Sequence, residues 1–210
     1  HGSALGEENV AKMREFYDWS AAPFEISDEI YDTYSAAVDE KQRGYKNWQS
    51  MFADYQTKFP DVAKKYLDNK LDLANVSLDY DTYKTPIATR VVNADLMQQI
   101  AAENDNFWGG AADLSSSNKT SLKADEAFTP LTPKGRNIYF GVREFGMAAA
   151  VNGITLHGGT RVFGSTFFVF SDYRKAAVRL AAIQQIPSTF IFTHDSLAVG
   201  EDGPNHEPIE

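Results

Sequence analysis

The sequence predicts an α/β fold, a mainly parallel sheet with flanking helices preceded by a helical segment. Three observations carry this. From about residue 86 onward, short apolar runs alternate with helical stretches, the pattern of crossover-connected strands. The runs lack strict apolar/polar alternation, as strands covered on both faces do. Before residue 70, by contrast, the patterning is helical throughout.

In the helical segment, "GEENVAKMREFY" follows Leu5-Gly6 and places Glu7 and Glu8 in a first turn, where the helix dipole favours acids. Ser27 suits the N-cap of a long helix starting at Asp28. On that helix Tyr45, Trp48 and Phe52 recur at helical spacing as one apolar stripe. Pro60 suits the first turn of a further helix, "PDVAKKYLDNK". Residues 71–86 carry little periodicity and end in "YKTPIA", which marks a boundary. Beyond it, "TRVVNADLMQQIAAEN" reads as a helix, "NFWGGAADL" as a short strand entering a polar loop, and "NIYFGV" as a strand. "REFGMAAAVNGITLHGG" is a small-residue helix, "TRVFGSTFFVF" a strand, "SDYRKAAVRLAAIQQI" a helix and "STFIFT" a strand. Ligands in such sheets collect at the carboxyl ends of the strands. The polar segments after 112, 143, 167 and 193 all fall there.

Composition narrows the function classes. With 43% hydrophobic residues in 210, the chain can bury a real core. A net charge of -9 argues against nucleic acid or an anionic membrane as the main partner. The acid excess is concentrated in residues 1–79, leaving enough arginine and lysine beyond for a local anion site. Without cysteine, disulfides, zinc–thiolate sites and thiol catalysis are excluded. No run of about 18 apolar residues exists, so a cytoplasmic enzyme is the expectation.

Four groups of residues can bear chemistry. Glu144 opens a helix directly after a strand; an ordinary first-turn glutamate satisfies that pattern, and so does a partly buried acid that hydrogen-bonds a ligand. Phe167, Phe170 and Tyr173 straddle a strand-to-helix junction; aromatics there serve a core, or present a ring to a flat ligand at the crevice. "GGAADLSSSNKT" reads as a turn-rich connector or an anion cradle, and it lacks the Gly-Lys-Ser/Thr ending of a P-loop. The terminal loop gathers His194, Asp202 and His206, groups able to exchange protons or orient hydroxyls.

Five segments together resemble one family. "THDSLAVGEDGPNHEPIE" is similar to the signature of transketolases. "GGAADLSSSN" resembles their Gly-Gly-Ser-Ala-Asp-Leu-x-x-Ser-Asn element. "NIYFGVREFGMAAAVNGI" resembles the helix bearing their pyrimidine-binding glutamate. "STFFVFSDYRKAAVRLAA" resembles the aromatic segment beside it, and "HGSALGEE" a His-Gly-x-x-Leu-Gly element of the first domain. All five occur in the family's order along the whole chain. Asn205 and Glu207 flank His206 where Thr and Gln are commoner, Ala198 replaces a usual glycine, and Phe145 stands where some members have His. These departures bear on fine specificity rather than reaction type.

The resemblance implies a thiamine diphosphate-binding fold of the pyrimidine-domain type. Residues 1–60 would be the C-terminal helices of a pyrophosphate-binding domain, 61–85 a linker, and 86–210 a pyrimidine-binding domain cut short at its C-terminal end. It implies thiamine diphosphate with Mg2+ or Ca2+, the metal ligands lying outside this segment. Glu144 would hydrogen-bond the pyrimidine N1′ and promote the imino form of the 4′-amino group, which takes the C2 proton; the cofactor carries the carbanion chemistry. Phe170 would stack on the pyrimidine, with Phe167 and Tyr173 lining its pocket, and Asp113 would face the cofactor from the neighbouring subunit of a homodimer. Substrates would be sugar phosphates exchanging a two-carbon ketol unit. Arg90, Ser117 and His194 match phosphate-binding positions, His206 a position near the donor carbonyl, Asp202 a hydroxyl-reading acid and His1 a further substrate histidine. Dihydroxyacetone synthases and phosphoketolases share the glutamate and are the alternatives. As an isolated piece the segment would bind no cofactor tightly and act at most as a non-catalytic dimerisation module.

Overall fold

The computed structural model describes residues 2–68, 70–196, 198 and 200–208. The chain divides into two compact units, 1–63 and 64–210. The first holds α1 (Glu7–Phe16) and α2 (Asp28–Lys58); α3 (Pro60–Leu67) begins at its end. Ser27 occupies the α2 N-cap position in an extended conformation, but its hydroxyl caps nothing. Its carbonyl instead accepts from the amides of Ile30 and Tyr31, and Asp28 and Glu29 supply the first-turn charge. The predicted stripe is a ladder of rings. Tyr45 and Trp48 lie 5.9 Å apart and Trp48 and Phe52 5.2 Å apart, both near-parallel, and the ladder runs on through Tyr55 to Phe59.

The second unit is built on four parallel strands in the order β2-β1-β3-β4: β1 Phe107–Ala111, β2 Asn137–Tyr139, β3 Arg161–Phe167 and β4 Thr189–Thr193. The remaining helices are α4 (Thr89–Glu103), α5 (Ser115–Asn118), α6 (Glu144–His157) and α7 (Ser171–Ile183). Alternation along β3 assigns them to faces. Phe163 packs with Phe107, Met97 and Ala101 of α4, and Leu122, and Ser165 bonds Asn118 of α5. Gly164, between them, looks the other way; a Cβ there would lie 3.1 Å from Met147 and Val151 of α6. So α4 and α5 cover one face and α6 and α7 the other, which is why the strands read as continuous apolar runs.

Residues 64–85, placed within a linker by sequence, belong to the second unit. Leu71 packs on the α4-side core. Asn104 binds this stretch by accepting from the Asp72 amide at 2.6 Å and donating to its carbonyl at 2.8 Å.

The β1–β2 junction is tight. A Cβ on Gly110 would sit 1.7 Å from the Ile138 carbonyl oxygen, a backbone atom that cannot swing aside. Gly110→Ala is therefore expected to cost about 3 kcal/mol, the upper end of overpacking losses. The midpoint of denaturant unfolding checks this.

The excursion from β1 to β2 is clamped at its return. Arg136 donates twice to Asp125, at 2.8 and 2.7 Å, and to the carbonyls of Ala101 and Asn104 at 2.9 and 2.8 Å. Asn137 exchanges bonds with both backbone groups of Leu122.

Candidate active site

The carboxyl ends of the four strands converge on one cleft of about 630 Å³. β1 delivers Ala112, Asp113 and Leu114; β2 leads to Val142, Arg143 and Glu144; β3 leads to Phe170 and Tyr173; the terminal loop adds His206. Five of the residues singled out in the sequence therefore share one wall-to-wall space: Asp113, Glu144, Phe170, Tyr173 and His206.

Glu144 is the first residue of α6 and only 8% exposed. The helix start favours its negative charge, while burial removes most of the water that would otherwise solvate it. Its lining neighbours Val142, Leu114 and Phe170 are apolar. The arrangement suits a carboxyl that meets a ligand's hydrogen-bonding edge.

The aromatic wall forms because β3 ends sooner than its apolar run. After Phe167 the chain turns: Phe168 donates to the Thr193 carbonyl and Phe170 to the Phe167 carbonyl. That turn brings Phe167 and Phe170 into a near-parallel stack, 5.9 Å apart and 6° inclined, with Tyr173 6.0 Å beyond Phe170. His206 sits edge-on to both, at 6.0 Å from Phe167 and 5.7 Å from Phe170.

A second cluster adjoins the first through Phe167, whose ring lies 3.6 Å from that of His194. Arg90 donates from Nη1 to Nε2 of His194 at 2.5 Å, and Asp202 stands 3.6 Å from the same nitrogen. Burial, and then the Arg90 charge, push the His194 imidazole below the usual histidine range, with Asp202, Glu207 and Asp195 pulling the other way. The loop that carries Asp202 is tied to itself, Gly200 donating to Glu207 at 3.0 Å. Both His194 and Asp113 have left-handed backbones, φ 55° and 63°. Such conformations in non-glycine residues concentrate at functional sites.

Two other sequence expectations stand apart. Ser117 lies on α5, exposed, and among the described residues no hydrogen bond joins it to Arg90 or His194. His1 lies outside the described residues.

Sequence reasoning missed three residues. Arg174, flanked in sequence by Asp172 and Lys175, is fully buried. Its guanidinium lies 3.7 Å over Phe192 and 5.0 Å over Phe190 and reaches the Gly164 carbonyl at 3.4 Å. Burial lowers it to about 10, opposed by the charge of Glu144. Asn118 and Thr193 are also buried, bonded to each other at 2.6 Å beneath His194. Period-2 alternation in β4, which puts Thr193 on the α5 face, was the one available signal.

Comparison with known proteins identifies the family. A family model described as the transketolase pyrimidine binding domain matches residues 85–210, and one described as the transketolase thiamine diphosphate binding domain matches residues 1–72. A transketolase of Streptococcus pyogenes is 45% identical over 212 residues, covering 100% of this chain and 29% of its own length. That of Bacillus subtilis is 42% identical over 221 residues, covering 100% and 32%. Among solved structures, transketolase from Leishmania mexicana superposes with a TM-score of 0.85 at 32% identity, covering 99% of this chain and 32% of that one. Transketolase from Campylobacter jejuni gives 0.80 at 34% identity, with the same coverage. The chain thus spans about a third of the length of these relatives. Matched over residues 1–72 and 85–210 by the two family models and along its whole length by relatives of this similarity, it belongs to the transketolase family.

Proposed function

We propose that this chain contributes the pyrimidine-binding half of a thiamine diphosphate-dependent active site that transfers a two-carbon ketol unit from a ketose phosphate to an aldose phosphate. The observation that carries the reading is Glu144: a carboxyl 8% exposed, opening on a cleft it shares with Phe170, Tyr173 and His206. A flat, polar-edged heterocycle suits that cleft, because the aromatic wall can take its face while the carboxyl takes its edge. When bound, thiamine diphosphate supplies the carbon nucleophile that cleaves and remakes the carbon–carbon bond. A divalent cation, Mg2+ or Ca2+, would be held by residues beyond this chain, and a homodimer would close the site, with Asp113 serving the neighbouring subunit.

The chain's own residues have separable tasks. Glu144 binds the ring nitrogen and fixes the heterocycle's orientation and hydrogen-bonding form. Phe167, Phe170 and Tyr173 exclude water from it. Arg90 and His194, with Ser117, hold the substrate phosphate through charge-assisted bonds. His206 meets the substrate near its carbonyl, Asp202 reads a hydroxyl, and His1 completes the substrate set.

The test is an assay of the intact protein with thiamine diphosphate, magnesium, xylulose 5-phosphate and ribose 5-phosphate. A seven-carbon ketose phosphate and a three-carbon aldose phosphate are expected. Release of acetyl phosphate once inorganic phosphate is added, or transfer only once formaldehyde is supplied as acceptor, would replace this reading with that of a phosphoketolase or a dihydroxyacetone synthase.

A further inference from the structure

The hydrogen bonds around His194 fix the state of its ring. Arginine has only donors, so the nitrogen that Arg90 Nη1 approaches at 2.5 Å, Nε2, must carry a lone pair. The other side agrees independently. Asn118 lies 2.6 Å from Thr193 Oγ1 through Oδ1, and 3.2 Å from Ser165 Oγ through Nδ2. The short contact suits O–H···O and the long one N–H···O, so the Thr193 hydroxyl spends its one proton on Asn118. Thr193 Oγ1 is left as the acceptor for Nδ1–H of His194, at 2.9 Å. Ser165 and Thr120, 2.7 Å apart and both buried, anchor the far end of this chain of bonds. The ring is neutral, protonated on Nδ1, and its one basic position is aimed at Arg90.

An anion arriving at Arg90 competes for the bond that Nε2 now receives. Once Arg90 turns its Nη1–H to the anion, the bare Nε2 lone pair faces negative charge, which is repulsive unless it takes up a proton. Arg90 already has spare donor capacity, since its Nε is buried and unpartnered among the described residues. We propose that binding of a dianionic phosphate group at Arg90 and His194 is coupled to uptake of one proton by Nε2 of His194, with the Asn118–Thr193 relay holding Nδ1–H so that Nε2 is the only position able to accept it. The balance is simple: the Arg90–His194 bond breaks, Arg90 and the new Nε2–H each donate to the anion, and the proton comes from solvent. The proposal rests on the reading of Arg90 and His194 as phosphate ligands. The charged groups facing the ring are Arg90 from α4, and Asp195, Asp202 and Glu207 from the terminal loop, with His206 beyond Phe167. Burial and the Arg90 charge hold the resting ring below the usual histidine range, so at neutral pH it is free to take up a proton.

Calorimetric titration of the intact protein with sulfate at pH 7, in buffers of different ionisation enthalpy, reads the coupling. Sulfate carries no titratable proton there, so any proton exchanged is the protein's. The expected result is net proton uptake on binding, of up to about one proton per site, and affinity that falls with rising pH by at most about tenfold per unit. His194→Asn should abolish the uptake. Thr193→Val should weaken binding roughly two- to tenfold, and Thr193→Ser should restore it. Sulfate binding with no buffer dependence, or uptake that persists in His194→Asn, overturns the coupling and leaves the phosphate reading standing. No affinity of the native protein for sulfate or for a sugar phosphate overturns both.

Discussion

Glu144→Gln in the intact protein is expected to lower kcat by roughly 10²- to 10⁴-fold, the range that one positioned acid–base group contributes. Glutamine keeps the shape and the apolar contacts, so the loss isolates the carboxyl's chemistry from its packing. Stability should fall by no more than about 1 kcal/mol, the worth of a first-turn acid at a helix start. The residue faces a cleft of about 630 Å³ rather than the interior of the helix pair, which is why folding tolerates the change. Steady-state kinetics with saturating cofactor, beside a thermal melt, checks both halves. A variant with near-native kcat would remove Glu144 from the mechanism and with it the proposed role of the cleft.

Arg90→Ala should act on a different parameter. Its guanidinium is the cation nearest His194, and charge-assisted bonds to a phosphate are worth about 1.5–3 kcal/mol each. The variant is therefore expected to raise KM for phosphorylated substrates roughly 10- to 150-fold while leaving kcat within a few-fold. An unphosphorylated ketose, which makes no use of the group, should show little change. Equal losses on both substrate types would mean that Arg90 supports the loop through His194 rather than the substrate. The two variants thus divide the site into a cofactor end and a phosphate end, separated by the ring of Phe167.

Much of this arrangement could be read before any coordinates. The strands and the long helices announce themselves because burial on both sheet faces leaves apolar runs, and because amphipathic helices leave a period near 3.6. Boundaries were harder. The run "TRVFGSTFFVF" reads as one strand to Phe170, but the structure ends β3 at Phe167. Phenylalanines continue past it because they build the wall rather than the sheet. Ser115–Asn118 read as loop, since serine and asparagine favour turns; the short helix forms there in spite of composition, with Asn118 drawn inward by Ser165 and Thr193.

Residues with chemistry of their own, such as Glu144 and the two late histidines, stood out by type and position at strand ends. Residues that act through others did not. Arg174, flanked by charges on a surface helix, carries nothing in its neighbours that predicts a berth over Phe192. Asn118 and Thr193 are common polar residues whose roles exist only once α5 and β4 are side by side. Sequence patterns report burial and periodicity, whereas these roles depend on which buried polar group meets which.

The Arg136 clamp bears on how such a protein can diversify. By fastening the return of the β1–β2 excursion to Asp125 and to the end of α4, it separates the stretch that reaches the cleft from the strand that follows. Evolution can then lengthen, shorten or rewrite the turn around 129–134 without shifting the register of β2 or the start of α6. Variation there should accumulate freely among related chains, while the guanidinium that licenses it resists exchange even for lysine, whose single ammonium cannot span two carboxylate oxygens and two carbonyls at once.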